Sequence, residues 1–112
     1  MKKLEIVIRS EKLDDMKQIL DECQVTGAMI SDLMGYGRQK GYKSRYRGSE
    51  YIINLLPKIK VETVVNDDLV DRIIELVEER ISTDSIGDGK IFIYNVEDCV
   101  KIRTGQRGPD AL

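Results

Sequence analysis

Two stretches of this chain keep a period of two, and together they restrict what it can fold into. In Lys3–Arg9, Leu4, Ile6 and Ile8 fall on one face, with Lys3, Glu5, Val7 and Arg9 on the other. In Lys58–Val65, Ile59, Val61, Thr63 and Val65 oppose Lys60, Glu62 and Val64. That period is the signature of a strand with one face on a core. Each stretch leads into an apolar stripe at helical spacing: Leu13, Met16, Ile19/Leu20 and Cys23 after the first, Leu69/Val70, Ile73/Ile74, Val77 and Ile81 after the second. Ser10 with Glu11 is placed to cap the first helix, and Asn66-Asp67-Asp68 to cap the second. Ala28–Met34 and Ile91–Val96 supply two further strands, Val100–Arg103 a short extended piece, and the tail GQRGPDAL reads as frayed. The order βαββαβ predicts an α+β ferredoxin-like sandwich with both helices on one sheet face.

The opposite face would carry Glu5, Val7, Lys60, Glu62 and Val64. It is too apolar for comfortable exposure and too charged for a monomer core. An oligomer that buries it, with charges paired across it, is the expectation. The 112 residues fit one domain with a modest core. Net charge is −2, so nothing global points to nucleic acid or membrane. The N-terminus lacks the apolar centre of a signal peptide, and no run approaches a membrane span, so a cytoplasmic protein is expected. Cys23 and Cys99 form no CxxC and are expected as free, buried thiols.

Between the second and third strands lies Gly35–Leu56, GYGRQKGYKSRYRGSEYIINLL. It keeps neither helical nor strand period and reads as a loop. Arg38, Lys40, Lys43, Arg45 and Arg47 are basic, with no acid between Tyr36 and Ser49, and the remainder of the chain carries −7. Loops of roughly 20 residues are uncommon inside compact domains and are usually functional or disordered. The tip is expected to lack order without a partner.

Three groupings carry chemistry. In Ile86-Gly87-Asp88-Gly89-Lys90-Ile91-Phe92, glycines at i and i+2 let backbone N–H groups turn inward, and a lysine follows. That can form an anion nest, although a plain glycine turn has the same composition. If Val100–Arg103 is extended, Lys101 and Arg103 share a face and invite a shared anion, or they guard a sheet edge. Arg38-Gln39-Lys40-Gly41 and Lys58 sit at the two ends of the long loop and could close over a small polyanion. Enzyme chemistry finds little support. The chain has no histidine, which removes Ser/His/Asp and Cys/His constellations, and Asp14-Asp15 and Asp67-Asp68 read as helix-start acids. An RNA-binding module of RRM-like topology is the alternative, since that fold shares the element order. Lys40-Gly41-Tyr42 matches the start of its RNP1 pattern, but Lys43, Ser44, Arg45 and Arg47 then depart from it. A small acyl-phosphate or phosphatase-like enzyme rests only on the glycine turn and arginines.

Three ordered blocks, GYGRQKGYKSRYRGSEYIINLLPKIKVE, IGDGKIF and IRTG, resemble the PII nitrogen-regulatory signal-transduction proteins, and the likeness runs over essentially the whole chain. The resemblance implies one PII-like domain, 1–112, in a homotrimer. A T-loop would span about 37–55, a glycine phosphate loop about 82–90, and a C-terminal segment about 97–112. It implies ATP or ADP between subunits. Gly87, Asp88, Gly89 and Lys90 would lie at the phosphates, Arg38, Lys101 and Arg103 would add charge, and Gly35 and Val64 would lie near the adenine. It implies 2-oxoglutarate with Mg²⁺-ATP, held by Gln39 as metal ligand, Lys58, Gly41 and Arg9. Tyr51 and Ser49 align with residues modified in some relatives. Tyr42, Arg45, Arg47 and Tyr51 would dock partners, either an ammonium transporter or nitrogen-assimilation enzymes and regulators. Three departures stand out: Lys101 for a common arginine, Thr83-Asp84-Ser85 for Thr-Gly-Lys, and Arg9-Ser10-Glu11 for Lys-Pro-Phe. They imply altered nucleotide affinity, since a forked donor and a cation are lost and an anion is gained.

Overall fold

The two alternating stretches become the two central strands of one antiparallel sheet. The computed structural model describes residues 1–37, 43–46, 49–52 and 55–112, with the backbone alone at 43–46 and 49–52. Its elements are β1 (Lys2–Arg9), α1 (Leu13–Glu22), β2 (Met29–Tyr36), β3 (Lys43–Tyr46), β4 (Ser49–Ile52), β5 (Leu55–Val65), α2 (Asp67–Arg80) and β6 (Gly89–Asn95). The main sheet has the order β2-β5-β1-β6, with each neighbouring pair antiparallel. This is the ferredoxin-like sandwich expected from the element order.

The core lies where β1 and β5 face the helices. Leu4, Ile6, Ile8, Ile59 and Val61 meet Met16, Ile19, Ile73 and Leu76, all buried. Each such side chain contributes about 1.5–3 kcal/mol relative to exposure. The polar residue on this face, Thr63, is also buried, and its hydroxyl donates to Gly27 O at 2.7 Å. On the opposite face, Lys3 and Lys60 each lie 3.4 Å from Glu62, so these charges pair within the chain. Cys23 is buried and free; Cys99 is free but only half-buried, less than expected.

Several local expectations are corrected. Ser10 does not cap α1: it opens a 3-10 turn, Ser10–Lys12, and α1 starts one turn later with Asp14 and Asp15 as its favourable acids. Asn66 takes the capping position before α2 without a side-chain bond. Asp67 lies 3.0 Å from the Met1 ammonium, which holds its carboxyl below the usual range. The tail is not frayed. Asp98 accepts from Gly108 N at 3.1 Å and from Arg107 Nη1 at 2.9 Å, and Ala111 is buried in a 3-10 turn, Gly108–Ala111. Glycines 105 and 108, both at φ 73, supply the bends.

The long segment is not irregular throughout. β3 and β4 pair as a separate two-stranded sheet with register Lys43↔Ile52 to Tyr46↔Ser49. Periodicity missed it because both strands are short and mostly polar. The tip expected to lack order without a partner, residues 45–51, thus includes residues of both strands, while Arg47 and Gly48 lie outside the described residues.

Both edge strands of the main sheet expose apolar side chains. Met29, Met34 and Tyr36 on β2 are 66%, 60% and 76% exposed, and Phe92, Ile93 and Tyr94 on β6 are also exposed.

Candidate functional site

The registers bring four strand ends together. Arg9 at the end of β1 pairs with Lys58 on β5, and Gly35 near the end of β2 pairs with Leu56. Gly89 opens β6 opposite Ile8. The connection from α2 to β6 therefore arrives beside Arg9 and Lys58. Lys58 Nζ donates to Gly87 O at 2.7 Å, and Arg9 Nη2 donates to Ile86 O at 2.9 Å. Partial burial, then the neighbouring Arg9 charge, lower the Lys58 pKa from the usual lysine value, against opposing pulls from Glu11 and Asp88.

Gly87 and Gly89 have φ of 99 and 116, a region that favours glycine. At Gly89 the need is also steric, since a Cβ would lie 1.8 Å from Val7 O. Two such glycines flanking Asp88 give the kind of backbone that presents amides to an anion. A cleft of about 680 Å³ opens here, on the sheet face away from the helices, lined by Gly35, Lys58, Gly87, Gly89, Lys90 and Phe92 among others. That volume falls within the range of small-molecule sites.

The Asp88 side chain faces elsewhere. It lines a second cavity, of about 370 Å³, on the helix side between α2 and β6. Its carboxylate accepts from the Thr83 hydroxyl, from Thr83 N at 2.6 Å and from Ser85 N at 3.4 Å, and lies 3.6 Å from Arg9 Nε. These partners, the Thr83 hydroxyl foremost, lower its pKa from 3.8 to about 2. Asp84 has a left-handed φ of 59, at the position where the resembled Thr-Gly-Lys carries glycine.

The other sequence-derived residues fall in three places. Val64 lies near the opposite end of β5, across from Lys3. Lys101 and Arg103 are not on an extended strand: residues 102–104 form a turn, with Gly105 N donating to Lys101 O at 2.7 Å, so the shared face expected from strand period does not follow. Arg38, Gln39, Gly41, Tyr42 and Arg47 lie outside the described residues, while Arg45 belongs to β3 and Ser49 and Tyr51 to β4. Sequence reading missed Thr83, Ser85 and the Ile86 carbonyl as partners of Asp88 and Arg9. It also missed Phe92 and Tyr36 as cleft walls, although the strand period would have put Phe92 on the same face as Lys90.

Among the described residues, no group of three or more His, Cys, Asp or Glu could hold a metal ion. The donors present, glycine-turn amides with Lys58 and Lys90, suit a polyanion. The two central strands, β1 and β5, carry no aromatic side chain, so the stacking platform an RNA-binding sheet needs there is missing; Phe92 and Tyr94 of the same face lie on the edge strand β6. No helix among the described residues is long and apolar enough to cross a membrane.

A ferredoxin-like sandwich with a cationic glycine cleft at one sheet end defines a class of small α+β proteins suited to taking an anion there. Comparison with known proteins is specific. The family model for nitrogen regulatory protein P-II matches residues 1–106. The nitrogen regulatory protein P-II of Rhodospirillum rubrum is 47% identical over 112 residues, all of both chains, and that of Haemophilus influenzae is 48% identical over the same full span. The solved structure of B. subtilis GlnK superposes with a TM-score of 0.80 at 38% identity, covering 99% of this chain and 97% of that one. The chain belongs to the nitrogen regulatory protein P-II family, whose role is regulatory signal transduction.

Proposed function

We propose that this protein reports nitrogen and energy status by binding ATP or ADP and 2-oxoglutarate between the subunits of a cytoplasmic homotrimer. It acts as a regulator, not an enzyme, and passes its ligand state to targets through the T-loop, residues 37–55. The observation that carries this reading is the cleft, where Gly35, Lys58 and the glycine turn line one cavity beside the strand ends that flank that loop. The backbone around Gly87, Asp88 and Gly89 receives phosphates with Lys90, and Arg38, Lys101 and Arg103 add charge. Gly35 and Val64 flank the adenine. Arg9, Gln39, Gly41 and Lys58 receive 2-oxoglutarate, with Gln39 and ligand oxygens around Mg²⁺.

A site between subunits fits the registers. Gly35 pairs with Leu56, and Val64 lies about 26 Å from Leu56 along β5 at ~3.3 Å per residue. One chain therefore cannot put both beside one adenine, whereas a second copy can. The exposed edge strands and the ion pairs already made at Glu62 make such burial less costly. Because 2-oxoglutarate would touch both ends of the T-loop, it can favour one loop arrangement over another, which ligand-driven switching requires. Tyr42, Arg45, Arg47 and Tyr51 would then meet an ammonium transporter or a nitrogen-assimilation enzyme or regulator, with Tyr51 or Ser49 open to modification.

Calorimetry tests the reading. 2-Oxoglutarate is expected to bind only with Mg²⁺-ATP present, and Gln39→Ala is expected to abolish that binding. Equal binding without nucleotide overturns it.

A further inference from the structure

We propose that Asp88 is a positioning residue: its carboxylate holds the 82–88 turn in an anion-receptive shape, and Arg9 ties that turn to β1, so nucleotide affinity depends on a side chain that does not face the nucleotide. This rests on the nucleotide reading above and adds a determinant to it.

The geometry separates the backbone of this residue from its side chain. Gly87 lines the cleft, Gly89 and Lys90 line both the cleft and the helix-side cavity, and Asp88 lines the helix-side cavity with Ile8, Val77 and Ser82. The carboxylate occupies the Thr83 and Ser85 amides, the Thr83 hydroxyl and the Ser82 hydroxyl, the last at 3.5 Å. Those amides are thus committed internally, as is the Asp88 amide, which donates to Ser85 O at 3.3 Å, and an incoming phosphate is left the rest of the 87–90 backbone. Residues 82–86 are all exposed, so apolar packing does little to fix the turn. The fixing falls to Asp88, to Lys58 at the Gly87 carbonyl, and to Arg9, which reaches both the Ile86 carbonyl and the Asp88 carboxylate from one guanidinium. A planar fork suits that double contact better than an ammonium would.

The test uses the full chain, with ATP binding measured by calorimetry and the Thr83 amide proton followed by NMR. In the unsubstituted protein that amide is expected to resonate downfield, because it donates to a carboxylate at 2.6 Å. Asp88→Asn keeps the size and removes the charge. It is expected to raise the ATP Kd roughly tenfold, a loss typical of outer partners that orient a binding site, and to move the Thr83 amide upfield. A variant that only weakened the fold would leave the affinity of the folded fraction unchanged. Thr83→Val, which removes one donor, is expected to give a smaller loss of the same sign. Added to Asp88→Asn it should cost less than it does alone, as partners in one network do. If Asp88→Asn does not fold, Thr83→Val alone decides. ATP binding by Asp88→Asn at unchanged affinity, with the Thr83 amide moved, overturns this inference and leaves the nucleotide reading intact. No ATP binding by the unsubstituted protein overturns both.

Discussion

After α1 the chain returns to the sheet through residues 24–28, and after α2 through residues 82–88. The first return is closed by backbone and one buried hydroxyl. Gln24 takes a left-handed φ of 54, Val25 N bonds to Leu20 O at 3.0 Å, and Gly27 O receives Thr63. The second is held by charge: the Asp88 carboxylate gathers the turn, and Arg9 and Lys58 grip its carbonyls. Loops carry function when a rigid scaffold presents them. The difference teaches which of two equivalent connections in the topology can respond to an anion. A phosphate or carboxylate can compete for Arg9 and Lys58, whereas nothing in the first return would answer it.

The sharpest contrast is between glycines. Gly89→Ala places a Cβ 1.8 Å from Val7 O at a φ of 116 and is expected to cost at least ~3 kcal/mol in urea unfolding. A Cβ at Gly27 would meet nothing within 4 Å, so Gly27→Ala is expected to stay within about 0.5 kcal/mol. Equal effects would erase the distinction between the connections. Next in size, Thr63→Val removes the hydroxyl that serves Gly27 O and is expected to cost about 1 kcal/mol without changing ATP affinity. A change in affinity there would mean that the first return also reports to the ligand.

The smallest effect lies in acid. The Asp88 carboxyl is depressed from 3.8 to about 2, so the stability it contributes is complete above 3.8 and is lost as pH falls from there to about 2. Asp88→Asn should remove that portion of the acid sensitivity, leaving the urea midpoint of the variant flatter over the same window. An Asp88 Cγ resonance that titrates near 3.8 instead would show that the turn is not held as described.

Much of this was legible in the residues. The period of two in Lys3–Arg9 and Lys58–Val65 set the central strands and their buried faces because alternation is a local property. Gly87 and Gly89 were legible as an anion nest or as a plain glycine turn, and only the positive φ of both and the steric need at Gly89 mark the special backbone. Partners that depend on three-dimensional return paths were not legible. Asp88 and Thr83 are close in sequence, yet nothing in their spacing says that the carboxylate turns to the helix side. Asp98 gathers Arg107 and Gly108 only once the tail has folded back, so the tail looked frayed. The β3–β4 pairing was hidden by its polar composition. Lys101 and Arg103 were misplaced because a turn, not a strand, follows Val100.

Hydrogen–deuterium exchange with and without Mg²⁺-ATP compares the two returns in one experiment. Slower exchange in peptides covering 82–90 and 35–37, with 24–28 unchanged, is the predicted result. Protection at 24–28, or none at 82–90 under conditions where ATP is bound, would contradict the assignment of the cleft as the ligand site.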